Sequence, residues 1–318
     1  MKPSEPHVFA SLPLGDAEQR ALDGLLDTLE VQHHGAILGV LVYGSCLRSG
    51  DIFDGLIDLY LLCSRYRKAY SRAVPAVANW LLPPNVFYTR HASGERMLRS
   101  KVSVISLADF QHVCGPGRFE SYFWGRFAQP VALARVSDEC AREKIAGALQ
   151  SASQTLLRRS LPVLPARGTV TDLWVDALQL SYATELRTER PGRTRELVSA
   201  ADDFYLTAAI RAAGTDAVAS PLTVDLSVSP AEYRHTMSSW QRLRGRLAWA
   251  SRRVLGKSLS IIRLVKALFT FQGGLDYIAW KLERHSGETI EIPARVRRRP
   301  LIHAWGFFWG LYRRGIFK

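Results

Sequence analysis

The segment "VYGSCLRSGDIFDGLIDLYLL", residues 42–62, decides the fold. One apolar run ends at the pair Gly44-Ser45, and a second apolar run carries a single carboxylate, Asp58. Short runs of Val, Ile, Leu and Tyr that are bounded by glycine are typical of buried β-strands. We therefore predict strands over 36–44 and 55–63, with an acidic side chain on the second strand.

The side chains at these positions favour phosphate chemistry. Side chains alternate along a strand, which places Asp58 and Tyr60 on one face. A Gly-Ser turn lets a phosphate approach the backbone, because glycine has no side chain there, and the Ser45 hydroxyl can bind phosphate oxygens. A carboxylate on the next strand can hold the Mg²⁺ that accompanies a nucleoside triphosphate. The other interpretation is an ordinary turn followed by a strand with one satisfied buried aspartate.

This arrangement resembles the polymerase-β-like nucleotidyltransferase superfamily. In that superfamily a Gly-Ser pair precedes a strand with two carboxylates, at positions i and i+2 on one face. Here Tyr60 occupies the second position. Asp58 alone supplies too few oxygens for a metal site, so phosphates, waters or an acid from another segment must complete it.

The rest of the chain divides into two patterns. Up to Ser137 strands and helices are mixed. The strands are expected over 85–90, 98–106 and 130–136, and the helices over 18–30 and 66–82 with an interruption at Pro75. After Ser137 the pattern is helical, over 137–157, 168–189, 195–214 and most of 230–286, with a helix-start signal at 229–234.

These patterns predict an α+β fold. We expect a polymerase-β-like nucleotidyltransferase domain with a mixed sheet, followed by a mostly helical domain and a C-terminal amphipathic helix. The predicted domains are 1–165 and 166–290, with a basic aromatic tail over 291–318. The boundary is placed at "LPVLPARG", where two prolines and a glycine interrupt the helical pattern.

Composition narrows the class of protein. The chain is 47% hydrophobic and 22% charged, which is typical of a folded protein rather than a disordered one. Its four cysteines have no CxxC spacing and suit structural thiols in a reducing compartment. The N-terminal residues form no secretory signal, and no apolar run is long enough to span a bilayer. We expect a cytoplasmic protein.

Positive charge is concentrated at the C-terminal end. The net charge is +13, and residues 234–318 carry 18 Lys and Arg against 4 Asp and Glu. The residues before them are therefore close to neutral. This asymmetry indicates an anionic partner for the last quarter of the chain, either nucleic acid or a membrane surface.

Five short motifs point to a particular family. In chain order they are "YGSCLRSGDIFDGLIDLYLL", "NVFYTR", "KVSVIS", "WGRFAQPV" and "LSYATELRTER". Over about residues 40–285 this series resembles the mitochondrial-type phosphatidate cytidylyltransferases, the translocator assembly and maintenance family. The resemblance implies that CTP and phosphatidic acid react, with Mg²⁺ as cofactor, to give CDP-diacylglycerol and pyrophosphate.

The resemblance also assigns the first set of site residues. Gly44 and Ser45 would cradle the CTP phosphates. Asp58 would be catalytic and bind Mg²⁺. Lys101 would be catalytic, and Arg126 would bind the nucleotide, because fixed positive charge offsets the charge on the leaving pyrophosphate. The alternatives are a solvated edge-strand lysine at 101 and a purely structural arginine at 126.

Further assignments come from the motif "LSYATELRTER". Tyr182 and Arg187 would bind the nucleotide, and Glu185 would be the second metal ligand. The alternatives are a Tyr182 side chain in a helix core and a Glu185 carboxylate in a surface salt bridge.

The tail combines arginine with aromatic residues. A helix over 301–314 would place several of its aromatic residues on one face, as expected for a helix in the headgroup layer of an anionic membrane. The basic face would be continued by Arg263, Lys266, Lys281 and Arg284. The predicted membrane-binding residues are Arg297, Arg298, Arg299, Trp305, Phe308 and Trp309.

Other interpretations of the tail are packing on the protein's own core and binding of single-stranded nucleic acid. A lipid substrate favours the membrane and makes nucleic acid an unlikely partner. The predicted location is therefore the inner face of the cell membrane, as a peripheral protein.

Two other functions compete with the cytidylyltransferase. One is a nucleotidyltransferase that acts on RNA or a small molecule. The other is a non-catalytic lipid-binding protein with a degenerate site. The presence of a single carboxylate, Asp58, on the strand is compatible with this function.

Overall fold

The computed structural model describes residues 8–186, 190, 192–214, 221–270, 283, 290, 292–298, 306 and 309. The strands are β1 (Ile37–Tyr43), β2 (Ile57–Cys63), β3 (Asn85–Ser93), β4 (Arg96–Ser106), β5 (Ala132–Val136), β6 (Arg167–Thr169), β7 (Leu222–Asp225) and β8 (Glu232–His235). The helices are α1 (Asp16–Gln32), α2 (Ser45–Ser49), α3 (Tyr66–Ala69), α4 (Ala73–Leu81), α5 (Leu107–Cys114), α6 (Tyr122–Phe127), α7 (Glu139–Ser160), α8 (Val170–Tyr182), α9 (Arg193–Ser199), α10 (Asp202–Gly214) and α11 (Ser239–Thr270), with a further short helix over Ala294–Arg298.

A five-stranded mixed sheet organises the N-terminal part, in the order β3-β4-β2-β1-β5. Strands β2 and β4 are parallel and the other neighbouring pairs are antiparallel. The predicted α+β class with a mixed sheet is confirmed. Strand β4 lies between β3 and β2, so Lys101 is not on an edge strand.

Each face of this sheet is covered by helices. Helix α1 buries Leu22, Leu25 and Leu29 against one face. On the other face, α5, α6 and α7 build an aromatic core around Tyr60. The Tyr60 ring is fully buried, with its centroid 4.9 Å from that of Phe127. A carboxylate at this position would be desolvated at high cost, which explains why a second acid is absent from β2.

A second sheet of three strands, β6-β8-β7, lies in the part of the chain that was expected to be helical. The helix start predicted at 229–234 is therefore wrong. Strand β8 buries Tyr233 and His235 on alternate positions, and α11 begins only at Ser239. The actual start is a capping box. Ser238 Oγ accepts a hydrogen bond from the backbone N–H of Gln241 at 3.2 Å, and Gln241 Oε1 accepts one from the backbone N–H of Ser238 at 2.8 Å.

Other helix bounds also differ from the prediction. The helix expected over 66–82 is divided into α3 and α4 before Pro75, which lies in the first turn of α4, where a missing N–H is tolerated. Helix α8 ends at Tyr182 rather than 189, and the helix expected over 195–214 is two helices, α9 and α10. None of the helices in the described part of the chain has the length and hydropathy needed to cross a bilayer.

Three helices cross closely beside the sheet. A Cβ on Gly125 of α6 would lie 2.3 Å from Ser181 Oγ of α8, and a Cβ on Gly256 of α11 would lie 2.5 Å from the Thr184 carbonyl oxygen. Ser181 Oγ donates to the Ser121 carbonyl at 2.9 Å. Helix α8 is therefore held directly against α6, and α11 is held against the segment that follows α8. The predicted domain bounds stay a prediction.

Substitution of Gly125 by Ala tests this crossing. We expect Gly125→Ala to lower the free energy of unfolding by about 1–3 kcal/mol, because the new methyl group overpacks the contact with Ser181. Chemical denaturation measures the change. The matched control is Gly147→Ala on α7, where the new Cβ meets open space; it should be neutral or stabilise by up to about 1 kcal/mol. Equal stability of the two variants would contradict the close crossing.

Candidate active site

A cavity of about 380 Å³ lies between the sheet and helices α6, α8 and α9; we call it the site cavity. It is lined by Tyr43, Gly44, Ser45, Asp58, Lys101, Arg126, Gln129, Tyr182, Glu185, Arg193 and Leu197. Seven of the predicted catalytic, nucleotide-binding and metal-binding residues are among these lining residues. Residues from five separate segments of the sequence therefore meet at one place, although their individual roles stay predictions.

The remaining predicted residues lie elsewhere. Arg187, Arg299, Trp305 and Phe308 lie outside the described residues, as does the Arg298 side chain. The Arg297 and Trp309 side chains are both exposed.

The sheet register sets the floor of the site cavity. Tyr43 of β1 pairs with Asp58 of β2, and Asp58 pairs with Lys101 of β4. The Lys101 side chain is half-buried, and none of the residues that the structure describes forms an ion pair with it. A carboxylate and an ammonium group thus stand side by side on adjacent strands, facing a space that an anion could enter.

Gly44 permits the turn that borders this floor. Its backbone has φ 87° and ψ −151°, a conformation that is essentially restricted to glycine. A Cβ at this position would lie 2.9 Å from Asp58 Oδ2. Glycine is therefore required twice, for the backbone angles and for the approach of the Asp58 carboxylate.

Arg126 forms the opposite wall. Its Nη1 donates to the Tyr43 hydroxyl at 3.2 Å, and its Nη2 lies 3.8 Å from Glu185 Oε2. The guanidinium also lies 4.4 Å from the centre of the Tyr122 ring. Burial raises the pKa of Tyr43 well above its usual range, so this phenol stays protonated at neutral pH. Arg126 is therefore held by structural contacts and also lines the cavity. Its nucleotide-binding role stays a prediction.

Glu185 has a definite partner in the structure. Its side chain is 11% exposed and pairs with Arg126, so the salt bridge is half-buried rather than on the surface. Tyr182 is largely buried at the end of α8 while it lines the cavity. The side chain therefore belongs to the core, as the alternative interpretation expected, and its nucleotide-binding role stays a prediction.

The donor set fits Mg²⁺ that arrives with a nucleotide. Within the described ranges, no three His, Cys, Asp or Glu side chains are grouped so as to hold a metal ion by themselves. Two carboxylates, Asp58 and Glu185, do line the site cavity. Magnesium is commonly held by one or two carboxylates together with substrate phosphates and waters. Asp58 and Glu185 would therefore need substrate phosphates and waters to complete the coordination of a magnesium ion.

Four lining residues had no predicted role: Tyr43, Gln129, Arg193 and Leu197. Two of them lie inside quoted motifs, directly before Gly44 and in "WGRFAQPV". The Gln129 amide donates to the Gly125 carbonyl at 2.6 Å, which holds it beside Arg126. Arg193 begins α9 and pairs with Glu196 at 3.2 Å. The position of Tyr43 and Gln129 inside quoted motifs could have identified them from the sequence. Arg193 comes to the site only because α9 folds against it.

Two further cavities continue from the site cavity. A linking cavity of about 310 Å³ shares Tyr43, Gly44, Arg126, Gln129 and Leu197 with it. An apolar cavity of about 590 Å³ in turn shares Ala10, Ser11, Gln129, Pro130 and Ala201 with the linking cavity. Most of the surface of this last cavity is carbon, and its apolar lining includes Val8, Phe9, Phe127, Leu149, Phe204 and Ala208.

Comparisons with known proteins add little to this geometry. No protein-family model matches the chain, and no curated protein matches it. Among solved structures, a nucleotidyltransferase-like protein from Exiguobacterium sibiricum is similar over 94% of this chain and 92% of its own, with 10% identity and a TM-score of 0.27. At that TM-score the likeness carries no argument about function.

A double-variant cycle tests the contact between Gly44 and Asp58. We expect Gly44→Ala to lower the free energy of unfolding by about 1–3 kcal/mol, from backbone strain and from displacement of the carboxylate. Asp58→Ala removes the carboxylate. The loss in free energy of unfolding of the double variant should therefore be smaller than the sum of the losses of the two single variants. Chemical denaturation of the four proteins measures this.

The control for backbone strain alone is Gly94→Ala. Gly94 also has a positive φ, of 59°, but a Cβ there meets no atom within 4 Å. Its cost should add independently to that of Asp58→Ala. Full additivity of Gly44→Ala with Asp58→Ala would contradict the contact.

Proposed function

We propose that this chain is a nucleotidyltransferase that transfers the cytidylyl group of CTP to phosphatidic acid, giving CDP-diacylglycerol and pyrophosphate. The observation that carries the proposal is the meeting of Gly44, Asp58, Lys101 and Arg126 around one cavity. They provide a turn open to phosphate, a carboxylate and two cations, which are the groups that a nucleoside triphosphate requires. The choice of CTP and phosphatidic acid comes from the five-motif resemblance.

In the proposed reaction a phosphate oxygen of the lipid attacks the α-phosphorus of CTP. The new oxygen–phosphorus bond forms as the bond between the α-phosphorus and the bridging oxygen to the β-phosphate breaks, and its electron pair leaves with pyrophosphate. The attacking oxygen is already anionic at neutral pH, so positioning contributes more than a general base. No protein group needs to remove a proton.

The chain's own residues would bind and orient the phosphates. The Gly44 turn permits close approach of the triphosphate, and the Lys101 ammonium stabilises negative charge as pyrophosphate departs. Arg126, fixed by Tyr43 and Glu185, supplies a second cation. Asp58 would hold Mg²⁺, which when bound would offset the negative charge of the phosphates.

The adjoining cavities support a second substrate that is partly apolar. The linking cavity joins the site cavity to the carbon-lined apolar cavity through shared residues. Its volume of about 590 Å³ is within the range of small-molecule sites. An acyl chain would fit such a lining better than an RNA backbone, whose phosphates favour a charged surface. The protein would then act as a peripheral protein on the inner face of the cell membrane.

Conversion of radiolabelled CTP on vesicles that contain phosphatidic acid tests the proposal. Purified protein with Mg²⁺ should form CDP-diacylglycerol, and removal of the metal by a chelator should stop the reaction. Asp58→Asn and Lys101→Met should each lower the rate about 100-fold or more, because each removes charge from the phosphate site. Lys144→Met, at an exposed position of α7, is the matched control and should keep full activity. No lipid product above background would contradict the proposal, and product on an added RNA would favour the competing transferase.

A further inference from the structure

Helix α11 presents an unusual outer face. The helix has 32 residues, Ser239–Thr270, and carries eight Lys and Arg with no Asp or Glu. Six large apolar residues on it recur at intervals of three, four or seven, which places them on one side. Their exposed fractions run from 47% to 70%, and they are Trp240, Leu243, Leu247, Val254, Ile261 and Val265.

The opposite side of α11 is fixed to the protein. The Trp249 indole donates to the Arg159 carbonyl at 2.9 Å, and Arg252 Nε donates to the Phe119 carbonyl at 2.9 Å. Arg263 pairs with the buried Glu120, so its charge faces inward.

Lys266 points inward as well. Its Nζ donates to the carbonyls of Leu82 and Pro84. The prediction of an outward basic face is therefore wrong for Arg263 and Lys266, since both are used in internal contacts. Lys281 and Arg284, which belonged to the same prediction, lie outside the described residues. The outward side consists of other residues.

Helix α4 continues the apolar surface. Val74, Val77, Trp80 and Leu81 are each exposed by 52% to 75%. The bonds from Lys266 to the two carbonyls that follow α4 bring the C-terminal half of α11 alongside it. We call the outer apolar residues of α11 and α4 together the apolar face. Exposed apolar side chains on two neighbouring helices favour an interaction site.

The positive charge of α11 favours an anionic bilayer over a second copy of this chain as the partner of the apolar face. Four exposed cations lie on α11 among the apolar residues: Arg244, Arg246, Arg253 and Lys257. A second copy of this helix would bring like charges together, with no acidic group on either helix to pair with them. An anionic bilayer supplies the opposite charge and accepts the apolar side chains between its headgroups.

We propose that the apolar face docks this chain on an anionic lipid bilayer, independently of the C-terminal tail. The proposal extends the proposed function, whose lipid substrate lies in a membrane. Its test reads binding rather than catalysis, so either can fail without the other.

Co-sedimentation of the full chain with vesicles tests the docking. Wild-type protein should bind vesicles of phosphatidylcholine with phosphatidylglycerol, bind phosphatidylcholine alone weakly, and be released by high salt. Leu247→Ser, Val254→Ser and Ile261→Ser together should weaken binding at least about tenfold, because they remove the inserted apolar surface. The matched control places serine at Val31, Leu226 and Val228, which are exposed apolar positions on neither α11 nor α4. It should bind as wild type.

Three further results bear on the proposal. Arg253→Glu with Lys257→Glu should weaken binding to anionic vesicles while leaving the unfolding midpoint unchanged. A protein without residues 295–318 should keep measurable binding that the serine substitutions then abolish. The proposal is overturned if the triple variant binds like wild type, or if it only dissociates a dimer in sedimentation velocity.

Discussion

The approach of the Asp58 carboxylate to the Gly44 turn is the constraint on which the site depends. It requires a backbone conformation restricted to glycine and a strand pairing that sets Asp58 beside Tyr43. The parallel pairing of β2 with β4 then places Lys101 on the other side of Asp58. Because these strands are buried on both faces, their register is set by the packing of many apolar side chains. The packing of the core thus places the Gly44 turn, Asp58 and Lys101 next to one another on neighbouring strands.

Helix α6 connects this row to the rest of the molecule. The Tyr122 ring lies between the guanidinium groups of Arg126 and Arg263, each 4.4 Å from its centre. Glu120, just before α6, accepts two hydrogen bonds from Arg263 of α11, at 2.5 and 2.9 Å. Loss of one partner from such a buried ion pair would leave an uncompensated charge at high cost. The wall of the cavity and helix α11 therefore share contacts with the segment that contains Glu120 and Tyr122.

The sequence predicted what local patterns determine. Apolar runs bounded by glycine located β1 and β2, and alternation placed Asp58 on one face with Tyr60. The α+β class followed from the change of pattern after Ser137. Four of the five motifs contribute lining residues to a common cavity, whereas "NVFYTR" contributes none, and no family model matches the chain to support the family itself.

Features that depend on contacts between distant segments of the chain could not be predicted from the sequence. The ion pair of Arg126 with Glu185 and the inward course of Lys266 are set by helix crossings that no local window contains. Strand β8 was mistaken for a helix start because Ser229-Pro230 resembles a cap, whereas the reciprocal bonds of Ser238 and Gln241 mark the real one. Local signals compete in such cases, and tertiary pairing decides between them.

The proposed function requires the site cavity to bind the triphosphate of a nucleotide. A crystal structure of the protein with CTP and Mg²⁺ would show where the nucleotide binds. We expect triphosphate density between the Gly44 turn, Asp58 and Lys101, with the metal on Asp58. Density for the nucleotide at any other place, with this cavity filled by water alone, would contradict it.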